Sequence, residues 1–231
     1  MINMNKKNYE IEYNAHQKIL NGKSLSFYDF IYLVAKIPFQ IIEGLVRNIP
    51  GPLGFKLRYY FYKPFLKHIG KNVLIDVGVK LNGIKNLSIG DYSYIESYTI
   101  ITSFLNEIRI GKRVHIAPFC LIHANEEVII EDYIGIASGV KIFSSTTYPN
   151  EKRMNGPTVP KSMMSFKSSP IYLRKDCAIY ANCILLPGAD IGEGAVVCAN
   201  SIISKKIAPY NIVLGNSKII GNRKKVSEKD I

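Results

Sequence analysis

The segment "RIGKRVHIAPFCLIHANEEVIIEDYIGIASGVKIFSS", residues 109–145, places an aliphatic residue every six positions at Ile110, Ile116 and Ile122. The beat slips by two at "HANEE", residues 123–127, and resumes at Ile130, Ile136 and Ile142. Strand residues two apart point to the same face. Triplets such as 108–110 and 114–116 therefore bury their ends and turn the middle residue outward. A short strand every six residues is too tight for hairpins or βαβ units and fits a parallel coil whose turns stack on one another.

Seventeen such triplets run from residue 73 to residue 203, and the last member of each is Ile, Leu or Val. Their middle positions carry Lys80, Ser88, Arg109, His115, Lys141 and Asp190, but also Leu121, Ile184 and Ile202. Extra residues follow triplets 79–81, 99–101, 120–122 and 140–142, each three triplets beyond the one before. With three faces per turn all four insertions fall on one edge, so the coil is triangular. The last insertion, residues 143–170, is the largest, and loops of that length are commonly functional or disordered. It leaves the coil directly above the "HANEE" corner of the preceding turn.

The chain has 231 residues, 47% of them apolar and 21% charged, which is the composition of a globular protein. Its formal charge of +12 favours anionic partners. No basic stripe interleaved with aromatics appears, which argues against nucleic acid. Cys120, Cys177, Cys183 and Cys198 form no CxxC pair and no zinc spacing. They read as small buried hydrophobes of a reducing compartment.

The first eighteen residues have no apolar core behind their lysines, so no signal peptide is expected. The most apolar stretch, residues 27–51, is interrupted by Asp29, Lys36, Pro38 and Glu43 and is not expected to span a bilayer. A cytoplasmic protein is expected. Residues 24–48 predict an amphipathic helix capped by Ser26 and bent near Pro38. "IPGPLG" breaks it, and "FKLRYYFYKPFLKHIG" predicts a second helix interrupted at Pro64. The expected organisation is a helical segment 1–70 capping the coil, the coil itself at 71–215 with the inserted loop 143–170, and a basic tail 216–231 forming a short C-terminal helix. Aromatics mixed with lysines and arginines over residues 25–68 also suit peripheral contact with a membrane surface.

The stretch "LLPGADIGEGAVVCANSIISKKIAPYNIVLGNS", residues 185–217, is similar to the terminal coils of the hexapeptide-repeat acyltransferases, where "PG" precedes "IG" and "P…G" closes the domain. That family includes the galactoside and maltose acetyltransferases. "IFSS", residues 142–145, and "MNGPTVP", residues 154–160, resemble a subgroup that acts in surface-polysaccharide synthesis. The resemblance covers residues 73 to about 220. It implies an all-β repeat wound as a left-handed parallel β-helix, a homotrimer with active sites between neighbouring subunits, and acetyl-CoA as donor. The implied acceptor is a hydroxyl or amino group of a sugar or nucleotide sugar, such as those built into O-antigen or capsule.

Acetyl transfer needs a base for the acceptor's proton and donors for the oxyanion. Where the familiar family member carries His-Pro early in the long loop, this chain reads Tyr148-Pro149. A phenol titrating near ~10 is a poor base at neutral pH, so Tyr148 is assigned to the acceptor pocket. Two histidines remain as candidate bases. His123 lies on the insertion corner beside Asn125, Glu126 and Glu127, whose carboxylates would raise its pKa. His115 is an outward middle residue, at the position the resemblance favours. Asn125 is a candidate for hydrogen-bonding a sugar hydroxyl. The resemblance lays the pantetheine arm along the main chain near Ala181, Ala199 and Ser204, with Lys205 close by. The basic tail residues Lys218, Arg223, Lys224 and Lys225 are candidates to pair with the CoA phosphates through charge-assisted hydrogen bonds. His16 and His68 fall outside the repeat. Two readings stand beside this one: an inactive scaffold, argued from the missing loop histidine, and a carbonic-anhydrase-like metal enzyme. The second needs three histidine ligands where the repeat offers two, and no metal is expected.

Overall fold

The computed structural model describes residues 4–148, 156 and 163–225, with side chains from residue 11 onward. Three helices, α1 (Met4–Leu20), α2 (Phe27–Arg47) and α3 (Gly51–Tyr62), precede a parallel coil with three faces. The first face has seven strands, from His68–Ile69 to Lys206–Ile207. The second has eight, from Leu74–Ile75 to Lys218–Asn222. The third has six, from Lys80–Asn82 to Ile202–Ile203. Pairing within each face is parallel, turn upon turn, except at the last step of the second face.

The six-residue beat explains this directly. The last residue of all seventeen triplets is buried, and so is the first. Three inward positions are polar yet satisfied: Ser93 donates to Gly111 O at 2.8 Å and Thr99 to Ala117 O at 3.1 Å, while Ser201 Oγ accepts from Gly215 N at 2.9 Å. Cys120, Cys177 and Cys183 are inward first members, which accounts for their burial.

All four insertions do fall on one edge, between the third and first faces. Ile84–Asn86 forms a 3-10 turn there. Residues 104–107 and 125–127 make the next two corners, and residues 144–170 the last. Across that last insertion the register holds, because Val128 pairs with both Ile108 and Ile171. The other corners are short and turn through a left-handed residue, glycine at Gly78 and Gly139 but Tyr92, Arg113 and Phe119 elsewhere.

Ser26 caps α2 in a capping box with Asp29. The expected bend at Pro38 does not break the helix: α2 runs through it, with Pro38 exposed. "IPGPLG" separates the helices as expected but also starts α3, with proline in its first turn. Beyond α3 the prediction is corrected. The helix stops at Tyr62, and His68–Ile69 already pairs with Ser88–Ile89 as the lowest rung. Lys63 keeps helical dihedrals, but Pro64 has no N–H to continue the ladder and the chain leaves the helix there for the first rung.

Arg58 is fully buried and ties the helices to the coil. Its Nε donates to Ile75 O at 2.6 Å and its NH1 to Ile49 O at 2.6 Å. Only glycine fits at position 54, where a Cβ would lie 2.0 Å from Ile49 O and 2.8 Å from Arg58 NH1. Tyr62 joins the coil's core and donates to Glu43 at 2.7 Å.

The expected C-terminal helix is also corrected. Lys218–Asn222 is an antiparallel strand against Asn211–Leu214. Gly215 (φ 64°) and Ser217 (φ 66°) turn the chain back, and the β-branched Ile219 and Ile220 suit the strand that follows. Residues 226–231 of the basic tail lie outside the described residues. No helix among the described residues is long and apolar enough to cross a membrane.

Candidate active site

His115 stands on the second face, where the outward positions climb as Leu74, Tyr94, His115, Gly135, Ala178, Val196 and Ile212. Side chains below it are large, and the next two above are the smallest available. Gly135 has no left-handed φ, and a Cβ built there would meet nothing within 4 Å. Backbone geometry and packing therefore do not require glycine at 135; its effect is to leave space beside the imidazole. Gly135 also lines a groove of about 510 Å³ on the turns above His115, with Ala178, Tyr180, Val196, Cys198 and Arg223 among others.

The imidazole itself is held. His115 Nε2 lies 2.7 Å from Glu96 Oε1, and the Tyr94 ring is 5.8 Å from the imidazole. Tyr94 in turn donates to Asp76 Oδ2 at 3.3 Å. A carboxylate only accepts, so Nε2 donates in this pair, and in the neutral ring Nδ1 is left with the lone pair. A ring with one nitrogen held by a carboxylate and the other uncommitted is the arrangement a general base needs.

His123 is placed differently. It lies at the end of a third-face strand, paired in register with Thr102 below and Phe143 above. Its ring sits 4.5 Å from that of Phe104 and 6.3 Å from that of Phe143. The expected upward pKa shift is corrected: burial between these rings pushes the imidazole below its ordinary value. The acidic side chains of the corner point elsewhere, Glu126 accepting from Asn106 Nδ2 at 3.1 Å and Glu127 from Tyr172 OH at 3.3 Å.

Ser144, one turn above, stitches this corner through its hydroxyl, which accepts from Asn125 N at 3.0 Å and Glu126 N at 2.9 Å. The corner is thus rigid around Asn125. Above it Ser145–Thr147 and Phe166–Ser168 form an antiparallel ribbon leaving the coil, and Tyr148 follows, exposed. Pro149 and all of "MNGPTVP" except Gly156 lie outside the described residues. A second groove, of about 770 Å³, runs between α2 and this edge of the coil and includes Lys36, Gln40, Lys80, Asn82, Thr102 and Phe104.

The candidate donor-site residues spread over the top of the coil. Ala181 and Ala199 occupy corners between the second and third faces, and Ser204 and Lys205 the corner between the third and first. Lys218 opens the final strand, exposed. Arg223 lines the groove above His115, where Asp176 already engages its guanidinium at 3.1 Å. Within one chain the candidates thus form two groups, His115 with Arg223 on the second face and His123 with Asn125 and Tyr148 on the insertion edge, while Ala181, Ala199, Ser204, Lys205 and Lys218 stand apart from both on the upper turns. Sequence reasoning missed Glu96 and Gly135. Stacking the turns in register would have put Glu96 and Gly135 on the rungs flanking His115. Among the described residues no three His, Cys, Asp or Glu side chains cluster closely enough to hold a metal ion.

A coil of this form, with grooves on its sides rather than a buried cleft, is that of the left-handed parallel β-helix acyltransferases. No family model matches the chain. It is 30% identical over 160 residues to dTDP-4-amino-4,6-dideoxy-D-glucose acyltransferase of Escherichia coli, covering 69% of this chain and 83% of that one. A mutant of AntD, an N-acyltransferase from Bacillus cereus, superposes with a TM-score of 0.68 at 26% identity, over 73% of this chain and 89% of that one. That structure holds dTDP-4-amino-4,6-dideoxyglucose and coenzyme A. A hexapeptide-repeat acetyltransferase of Vibrio cholerae, complexed with acetyl coenzyme A, shares the fold with a TM-score of 0.57 at 16% identity, over 91% and 99% of the two chains. The chain belongs to the hexapeptide-repeat acyltransferase family.

Proposed function

We propose that this enzyme moves an acetyl group from acetyl-CoA to a hydroxyl or amino group of a sugar, or nucleotide sugar, destined for a surface polysaccharide such as O-antigen or capsule. The observation that carries this reading is the His115–Glu96 pair one rung below Gly135, which lines an open groove on the second face. The thioester arm lies in that groove, past Ala178 and Gly135, and brings the acetyl carbonyl to the imidazole. Nδ1 of His115 takes the proton from the acceptor as its oxygen or nitrogen attacks the carbonyl carbon. Glu96 holds the ring and offsets the charge of the imidazolium. When the tetrahedral intermediate collapses, the carbon–sulfur bond breaks and the thiolate of CoA leaves with that proton.

The two groups of candidate residues lie on different sides of one chain, which is the arrangement expected if neighbouring subunits each supply half of a site. In a homotrimer the corner carrying His123, Asn125 and Tyr148 binds the acceptor and presents it to His115 of the next copy. Arg223 lines the donor's groove; Ala181, Ala199, Ser204, Lys205 and Lys218 lie outside it within one chain and reach the donor from a neighbouring copy. A cytoplasmic location, with residues 25–68 in peripheral contact with the inner face of the membrane, suits an acceptor carried on lipid.

Thermal unfolding with CoA tests the reading. A ligand at a hundred times its Kd stabilises the folded state by ~2.7 kcal/mol. An upward shift in Tm with CoA is expected, together with a particle mass near three times the 26.0 kDa chain. An unmoved Tm at millimolar CoA would overturn the assignment of the donor.

A further inference from the structure

Helix α2 is amphipathic in the opposite sense to an ordinary surface helix. Of its four charged residues, Asp29, Lys36 and Glu43 recur every seven positions, nearly two turns, and Arg47 follows one turn after Glu43, so all share one side. That side faces the protein. Asp29 pairs with Lys18 of α1 and Lys36 with Glu12 of α1, while Glu43 accepts from Tyr62 of α3 and pairs with Arg47 at 3.4 Å. Lys18 and Ser26 together hold the Asp29 carboxyl down at about 2.

The outward side carries Phe27, Ile31, Val34, Ile37, Ile41 and Leu45, every one exposed, with Phe27 at 79% and Leu45 at 66%. No polar residue interrupts this stripe, which runs about 27 Å along the helix at 1.5 Å per residue. Single exposed apolar residues are ordinary, but a contiguous stripe marks an interaction surface.

Charge decides what covers it. Residues 1–70 hold ten Lys and Arg against four Asp and Glu, a net +6, half of the chain's +12 in under a third of its length. Lys23, Lys56 and Lys63 are exposed and have no carboxylate partner among the described residues. Two copies meeting stripe to stripe would bring two such segments together and repel. An anionic partner is attracted.

We propose that α2 lies in the plane of an anionic phospholipid surface, its stripe seated among the acyl chains and the flanking lysines at the headgroups. An interfacial helix of this kind buries its apolar side about 5–10 Å deep and gains from anionic lipid. The coil then stands on the membrane at a fixed tilt, because Arg58 and Tyr62 weld the helices to its lowest rungs. This inference deepens the peripheral membrane contact proposed above and rests on that reading, but not on the donor, the acceptor or the catalytic base.

Sedimentation of the full chain with vesicles tests it. Co-pelleting is expected with vesicles of phosphatidylcholine and phosphatidylglycerol, falling by about tenfold with phosphatidylcholine alone and weakening as salt rises. The double variant Ile31→Gln/Ile41→Gln should stay in the supernatant while keeping the parent's Tm and particle mass. The chain contains no tryptophan, so Ile41→Trp and Gln40→Trp each supply a single reporter. Emission should shift to the blue on phosphatidylglycerol vesicles for Ile41→Trp, on the stripe, and hold for Gln40→Trp, on the other side. The proposal fails if the parent does not pellet with anionic vesicles, or if both tryptophans respond alike. It fails equally if the Gln variant lowers the particle mass without changing vesicle binding, which would make the stripe a contact between copies.

Discussion

His115 stands exposed on the second face, with a carboxylate 2.7 Å away and a glycine on the next rung. His123, eight residues later, is wedged between Phe104 and Phe143. The two side chains are chemically identical and belong to the same turn, yet only one has both an oriented nitrogen and room for a reacting group. Proximity to a long insertion recommends His123; a partner and an open neighbour recommend His115, and the proposed base is chosen on that contrast.

The strongest way to break this contrast is to exchange the two residues' fates. Loss of a general base costs about 10²- to 10⁴-fold, so His115→Ala should lower kcat by that factor in a CoA-release assay. His123→Phe should leave kcat within about threefold, since an aromatic ring refills its slot. Equal losses in both variants would erase the distinction. Filling the space is the next test. Gly135→Val adds a β-branched side chain to a strand without meeting neighbours, so Tm should hold or rise while the Kd for CoA weakens by about tenfold or more. Retained CoA binding would move the thioester arm off this face.

Glu96→Gln keeps the size of the partner and removes its charge. About a tenfold drop in kcat with little change in KM for CoA is expected of a residue that orients a base; a change confined to KM would assign Glu96 to binding. The smallest effect concerns His123. Its folded pKa lies below the unfolded value near 6.5, so the unfolded chain binds the proton more readily. The linked stability is fully present above about pH 6.5 and is lost as pH falls below it. Between about pH 7.5 and pH 5.5 the parent should therefore lose more in Tm than His123→Phe does. A variant as acid-sensitive as the parent would show that His123 does not carry this loss.

Much of the coil was legible because its signal is strictly periodic. Ile, Leu and Val at fixed spacing leave few alternatives once the four insertions are found to fall three triplets apart, and the edge they predicted is the edge observed. The ends were harder. His68–Ile69 forms a rung without a preceding beat to announce it, and Lys218–Asn222 is a strand whose partner is fixed only by tertiary geometry. The corners were opaque for another reason: Tyr92 and Phe119 adopt left-handed φ although neither residue type advertises it. At the site, the histidines were visible as residue types, but Glu96 became a partner only through stacking. The inward-facing charges of α2 were invisible as such, because periodicity gives the polar side of a helix without saying which side the protein occupies.

The antiparallel strand Lys218–Asn222 lies across the last parallel rung of the second face. A coil of identical rungs has no intrinsic reason to stop, since each one presents unpaired main-chain groups to the next and to any foreign rung that arrives. A strand of reversed direction offers an incoming coil the wrong hydrogen-bond pattern there, while α3 lies against the opposite end. On the second face, a hairpin at one end and a helix at the other thus stand where a further coil would have to add.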